Sequence, residues 1–244
     1  MLTGTADVQA LAAGAPVMET LDTGPAELVD VDVLQAAFEI PYASREALLP
    51  PGLHPTTPPL LIVLAWRVGQ SPWGPFSMAQ ARVSCRSGVR PRGFVAGCIV
   101  DRPDAAAALA GRWGLPAVPG TVELHRAYDR VELAVSRDGA PALELVAVDP
   151  DPLDRGDAQF TVTTALAQTP RGLRLVQIEP EYALRRVERV RPHVTAFDGA
   201  AWALAGVVPR YPVAATISRG DVTLAPLRFL SRADVNAFEG TERI

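Results

Sequence analysis

A single helix stands out in a chain that otherwise patterns as strands. From Asp104 the run DAAAALAGRW is rich in alanine, and Gly114 and Pro116 stop it. Alanine is the best helix former, and the Asp104 carboxylate is an N-cap that accepts from the free amides of the first turn. A helix is therefore expected from Asp104 to about Arg112. Nearly every other periodic segment is of strand length. One helix among many strands restricts the fold to a closed or doubly layered antiparallel architecture around a cavity. The 244 residues suffice for one substantial core. We place this domain at residues 28–235, after a tail or short docking helix (1–27) and before a polar, frayed tail (236–244).

Taken in order, LVDVDVLQAAFEI alternates with a period near two and predicts a strand over Glu27 to Ile40. Ser44 caps a short helix of Arg45 to Leu49, which Pro50 and Pro51 end. LLIVLAWRV (Leu60 to Val68) is continuously apolar, as a strand covered on both faces would be. MAQARVSCRS and RGFVAGCIV add two strands around a turn at Gly88 to Gly93. TVELHRAYDRVELAVSRDGAPALELVAV reads as strands joined at Arg137-Asp138-Gly139. The acidic run from Asp149 lacks EF-hand spacing and is expected as a solvated loop. At least four further strands follow.

The formal charge of −4 argues against a nucleic-acid surface. Arginines cluster between Arg82 and Arg92 and between Arg185 and Arg191, and both clusters are expected on solvated strand edges and loops. No window approaches the ~20 apolar residues of a membrane span. No basic residue precedes the apolar run Leu11 to Ala15, so no secretory signal is expected and the default location is cytoplasmic. Cys85 and Cys98 are expected as buried free thiols. No histidine pair has metal spacing, and no metal or cofactor site is expected.

All 23 basic residues are arginine; the chain contains no lysine. Arginine stays protonated and forms no imine under working conditions. Only the α-amino group remains as an amine nucleophile, which excludes lysine-imine catalysis.

The absence matters because of a resemblance. Leu48-Leu49-Pro50-Pro51-Gly52-Leu53, Trp73-Gly74-Pro75-Phe76, Trp113-Gly114-Leu115-Pro116 and Gln177-Ile178-Glu179-Pro180 occur in an order and spacing similar to the acetoacetate decarboxylase superfamily. Trp202, Pro212-Val213 and Asp221 to Leu224 extend the similarity, which runs from about Val33 to Asp234. The resemblance implies a mainly β (α+β) fold: an antiparallel β-cone or barrel with a few short helices around an apolar cavity, assembled as a homo-oligomer. In that family a Schiff-base lysine follows the proline of the turn, and a second lysine lowers its pKa. Two carboxylates and an arginine complete the site. By alignment these positions fall on Ala117 and Val118, on Met78 and Val63, and near Val31. All are apolar here.

What such a frame retains is a pocket for a hydrophobic small molecule. Strand parity groups Val63, Ala65 and Arg67, and separately Phe76, Met78 and Gln80. If Val63 and Met78 line the pocket, Arg67 and Gln80 share it. Arg67 is then a candidate to hold a carboxylate or enolate oxygen and Gln80 to orient it. Val63, Phe76, Met78, Trp113 and Ala117 are candidate substrate contacts. His125, in VELHRAY, is the candidate acid–base group; it shares a strand face with Glu123 that equally well faces solvent. His54, in a proline-rich loop, is expected exposed. Three functions stay open. One is a cofactor-free cyclase, isomerase or lyase for a hydrophobic carbonyl or polyketide-like compound of secondary metabolism. The others are a non-catalytic binding protein for an apolar small molecule and a structural subunit whose core is filled.

Overall fold

The apolar runs do form strands, and one sheet takes in every one of them. The computed structural model describes residues 2–244. A short helix α1 (Val8–Ala12) precedes β1 (Ala26–Glu39), β2 (His54–Pro55), β3 (Leu60–Gln70), β4 (Phe76–Ser87) and β5 (Arg90–Val100). Helix α2 (Pro103–Trp113) leads to β6 (Ala117–Pro119), β7 (Thr121–Arg126), β8 (Arg130–Arg137) and β9 (Ala140–Pro152). Then come β10 (Thr163–Thr169), β11 (Gly172–Ile178), β12 (Pro180–Phe197), β13 (Pro212–Leu224) and β14 (Phe229–Ser231). Helix α3 (Ala237–Gly240) and β15 (Thr241–Arg243) end the chain.

The sheet runs β15-β14-β11-β10-β5-β4-β3-β1-β13-β12-β9-β8-β7, with β2 added to β4 and β6 to β5. Pairing is antiparallel except where β6 and β10 meet β5. The two ends of the path do not pair with each other, so the architecture is the doubly layered one: β7 folds back across β3, β4 and β5.

Two cores result, one on each face of the central strands. Leu61, Val63, Ala65, Ala79 and Ala81 pack against Leu133, Leu145 and Trp202. Leu64, Trp66, Val68, Phe76 and Met78 pack on the other face against Ala105, Leu109 and Trp113 of α2 and against β10 and β11. Burial on both faces explains why β3 lacks alternation.

Helix α2 starts one residue earlier than expected. Pro103 occupies its first turn, Arg102 is the N-cap, and no side chain caps it. Asp104 instead sits in the first turn, where its charge complements the helix dipole. Gly114 ends the helix with φ +68°, and a Cβ there would lie 2.8 Å from that of Ala167. Glycine is thus needed for both conformation and close approach.

Several other local expectations are corrected. Ser44 caps no α-helix: Tyr42–Ser44 is a 3-10 turn, because too few residues precede Pro50 to nucleate a helix. The acidic run at Asp149 is strand, not loop, since β9 continues to Pro152 by pairing with β12. Residues 241–243 are not frayed; they add an antiparallel strand to β14. His54 is buried, with Nδ1 2.9 Å from the Leu2 carbonyl; the N-terminal segment covers it, and Gly4 donates to Leu53 O at 2.8 Å. The turn at Asp138 and Gly139 forms as expected, both residues with positive φ. No helix among the described residues is long and apolar enough to cross a membrane.

Candidate active site

Register decides which of the expected residues meet. Residues directly opposite each other in neighbouring strands share a face. Across β1, β3, β4, β5 and β6 one such row is Gln35, Leu64, Gln80, Cys98 and Ala117. The next row carries Val33, Trp66, Met78, Val100 and Pro119. On its other side lie Ala37, Ile62, Arg82 and Val95. Val33, Leu64, Trp66, Met78, Val95, Cys98 and Val100 lie in the core that contains α2, with Ala117 packed against it.

Of the expected site residues, Gln80, Met78, Phe76, Trp113 and Ala117 therefore belong to one face. Val63 does not: it is opposite Ala36 and Ala81 and belongs to the other core. Arg67, opposite Asp32 and Ser77, shares that second face and is bonded through Nε to Asp32 Oδ2 at 3.0 Å. Arg67 and Gln80 thus stand on opposite sides of the sheet. Parity within one strand is legible in sequence, but the relative phase of two strands depends on their pairing register. His125 is exposed on β7 opposite Glu132 and away from this face. Trp113 is buried, donates from Nε1 to Ala225 O at 3.2 Å and meets Trp73 edge-on at 5.9 Å.

The charge at this face comes from a residue expected in solvent. Arg82 is 1% exposed. Its Nε donates to Gln80 Oε1 at 2.7 Å and its Nη1 to Thr161 O at 2.9 Å. Gly93 gives its stem passage; a Cβ at 93 would be 3.0 Å from Arg82 Cδ. Neither bond is to a carboxylate. Burial draws its pKa down from 12.5 to about 10, with Tyr182 and Cys98 opposing the fall, so the guanidinium remains charged at neutral pH. A buried guanidinium without a counter-charge costs several kcal/mol. Arg92, from the same cluster, is also buried, but it pairs with Glu179 at 3.2 Å. The cluster at Arg185 to Arg191 is solvated as expected, with surface ion pairs to Asp221, Asp151 and Asp149.

Tyr182, near enough to Arg82 to act on its charge, belongs to an aromatic cluster. Tyr182 meets Trp66 edge-on at 6.3 Å, and Phe160 stacks on Tyr182 at 4.1 Å. Trp66 Nε1 is buried with no acceptor. Burial pushes the Tyr182 phenol and the Cys98 thiol each up to about 12, and Arg82 restrains both. Both therefore keep their protons near neutral pH and can donate but not abstract. Gln80 Nε2 lies 3.7 Å from Met78 Sδ. A groove of about 570 Å3 lies elsewhere, between β9, β12 and β13, lined by Val190, Arg191 and Pro212 to Thr216.

Sequence reasoning missed Arg82 by one step of its own rule. Phe76, Met78, Gln80 and Arg82 have one parity, and uncharged residues flank Arg82 on both sides.

Solved structures share the fold. Acetoacetate decarboxylase from Legionella pneumophila superposes with a TM-score of 0.74 at 16% identity, over 84% of this chain and 86% of that one. The enduracididine biosynthesis enzyme MppR, complexed with pyruvate, gives 0.70 at 16% identity, over 84% and 90%. An acetoacetate decarboxylase-like enzyme from Sphingomonas wittichii RW1 gives 0.65 at 19% identity, over 85% and 94%. Comparison with curated protein sequences yields no match. The family model for acetoacetate decarboxylase matches residues 14–232. With that span covering most of its length, the chain belongs to the acetoacetate decarboxylase family.

Proposed function

We propose that this protein is a cofactor-free member of the family that turns over an apolar carbonyl compound without an imine, by holding its developing enolate oxygen against Arg82. The observation that carries the reading is the buried, carboxylate-free guanidinium on the same sheet face as Ala117. Ala117 stands where the family's nucleophile would be. A preorganised cation in a dry site stabilises negative charge that appears during reaction. Gln80 holds the guanidinium, Tyr182 is the proton donor, and the unpartnered Trp66 Nε1 is a second donor for substrate oxygen. Met78, Phe160 and Ala117 supply the apolar neighbours of a ligand bound there.

The ionisable groups around Arg82 are Tyr182 and Cys98, and neither accepts a proton near neutral pH. That favours a lyase among the three enzyme classes: when a β-keto carboxylate loses CO2 the C–C bond breaks, its electron pair stays behind as an enolate, and the Tyr182 phenol protonates the enolate carbon, so no base is required. The same fact supports a second reading, a non-catalytic binding protein for an apolar carbonyl compound.

Native mass spectrometry of freshly purified protein, followed by denaturing extraction, tests both. A co-purifying apolar carbonyl compound that Arg82→Met no longer retains supports the site, and its consumption by the wild type then separates enzyme from carrier. A protein that retains no ligand and ignores apolar keto acids in thermal shift overturns both readings and leaves a filled core.

A further inference from the structure

The segment Gln159–Thr161, between the 3-10 turn Arg155–Asp157 and β10, crosses directly over the Arg82 cluster. It belongs to no strand. Three side-chain bonds fasten its backbone. Gln35 supplies two: Nε2 donates to Gln159 O at 2.9 Å, and Oε1 accepts from Thr161 N at 3.1 Å. Arg82 supplies the third, from Nη1 to Thr161 O at 2.9 Å. Phe160, between them, lies flat on Tyr182. The group that marks the site is therefore also a fastener of its cover.

We infer that Gln159–Thr161 is a gate, that Gln35 is the positioning residue that clasps it, and that an anionic ligand holds it open by taking Arg82 Nη1 from Thr161 O. This inference rests on the reading of Arg82 as an anion site. A backbone stretch held by three side-chain bonds, without a ladder, opens at lower free energy than the sheet beside it. Open and closed states differ in one contact that a ligand shares. An oxygen anion that takes the Nη1 N–H now bonded to Thr161 O displaces that carbonyl, so it binds the open state better and shifts the population toward it. The ligand class that fits is a small carboxylate or enolate with an apolar remainder that replaces Phe160 against Tyr182.

The two cysteines make the gate measurable within one molecule. Cys98 lies on the Arg82 face, opposite Gln80 and near enough for Arg82 to act on its thiol, whereas Cys85 lies in the other core, its thiol 3.5 Å from Arg92 O. Burial pushes both thiols up to about 12, so differences in their labelling report access. The experiment treats folded wild type, Gln35→Leu and Phe160→Ala with uncharged methyl methanethiosulfonate and follows each cysteine by peptide mass. Cys98 is expected to react on the order of tenfold faster in both variants, from the loss of the two Gln35 hydrogen bonds in one and of the Phe160–Tyr182 stacking in the other, with Cys85 unchanged. The gate is overturned if neither variant changes Cys98, or if both cysteines accelerate together. Phe160→Ala removes only a partly exposed side chain and keeps the test valid should Gln35→Leu fail to fold. In a second arm, saturating phenylpyruvate is expected to speed hydrogen exchange of the Thr161 amide in wild type but not in Arg82→Met. If phenylpyruvate binds through Arg82 without changing that exchange, anion-driven opening falls while the anion site stands. If the gate variants expose Cys98 but no keto acid depends on Arg82, the anion site falls.

Discussion

Removing the Arg82 cation together with the acceptor that holds it is expected to stabilise the protein and abolish anion binding. A guanidinium pKa near 10 instead of 12.5 means that folding penalises the charged form by about 3 kcal/mol, at 1.36 kcal/mol per tenfold. Arg82→Met alone removes that penalty but strands Gln80 Oε1, whose loss of its partner costs about 1–3 kcal/mol, while Thr161 O, part-buried, exchanges its bond for water. The single variant is therefore close to neutral. Arg82→Met combined with Gln80→Leu removes both problems and replaces them with apolar side chains of similar volume. Such exchanges of buried charge commonly stabilise by about 1–4 kcal/mol. A gain of about 2 kcal/mol raises Tm by roughly 4–8 °C in a chain of this size. Thermal and urea unfolding of wild type, single and double variants give the stabilities, and calorimetric titration with phenylpyruvate gives the affinities. The hydrogen bond to a charged group predicts at least about tenfold weaker binding in both variants. A double variant that melts below wild type refutes the argument: Arg82 is then a structural keystone, and its burial is no sign of function.

Three further outcomes are expected. Cys85 and Cys98 have an ordinary pKa of 9.0 and are held at about 12 in the fold. The folded state thus binds more protons above pH 9, and stability falls as pH rises. Each thiol costs about 1.4 kcal/mol by pH 10, so urea midpoints drop between pH 7 and 10 and the loss shrinks in Cys85→Ala/Cys98→Ala. Trp113→Phe is expected to lower stability by about 1–2 kcal/mol through lost packing, with phenylpyruvate affinity unchanged; weakened binding at unchanged stability would return Trp113 to the substrate contacts. Ala117→Lys is expected to yield a borohydride-trapped adduct with pyruvate at residue 117, in a chain whose only other amine is the N-terminus. Wild type is the control, and a variant with no adduct at 117 contradicts the placement of Ala117 on the site face.

How much of this was legible in sequence depends on how far apart the interacting residues lie. Local patterns sufficed for the helix before Gly114, for the turn at Asp138 and Gly139, and for the two-faced burial of Leu60 to Val68. They failed where a partner segment decides. Asp149 to Pro152 becomes strand because β12 runs alongside, and His54 is buried because the N-terminal segment covers it. The family alignment puts Val63 and Met78 in one pocket and parity adds Arg67 and Gln80, but the pairing of Ala65 with Ala79 places Val63 and Arg67 on one face and Met78 and Gln80 on the other. Arg82 was assigned to solvent as arginines usually are, yet its surroundings come from Gly93, Thr161 and Tyr182, distant in sequence.

These residues also fix what the site can do. Lysine offers a charge and, once deprotonated, a nucleophile, and imine catalysis needs both. Arginine offers only the first, since even at a pKa near 10 it stays protonated at neutral pH. On the reading proposed above, a methyl group at the aligned position 117 and a buried guanidinium at 82 separate two roles that lysine combines. The covalent step is gone, and the electrostatic one keeps a group able to perform it. Chemistry compatible with this division generates an oxyanion on the substrate itself and requires the protein to hold that charge in a dry, gated space. An apolar carbonyl compound supplies such an oxygen, and the cation without a carboxylate is the group on this face placed to receive it.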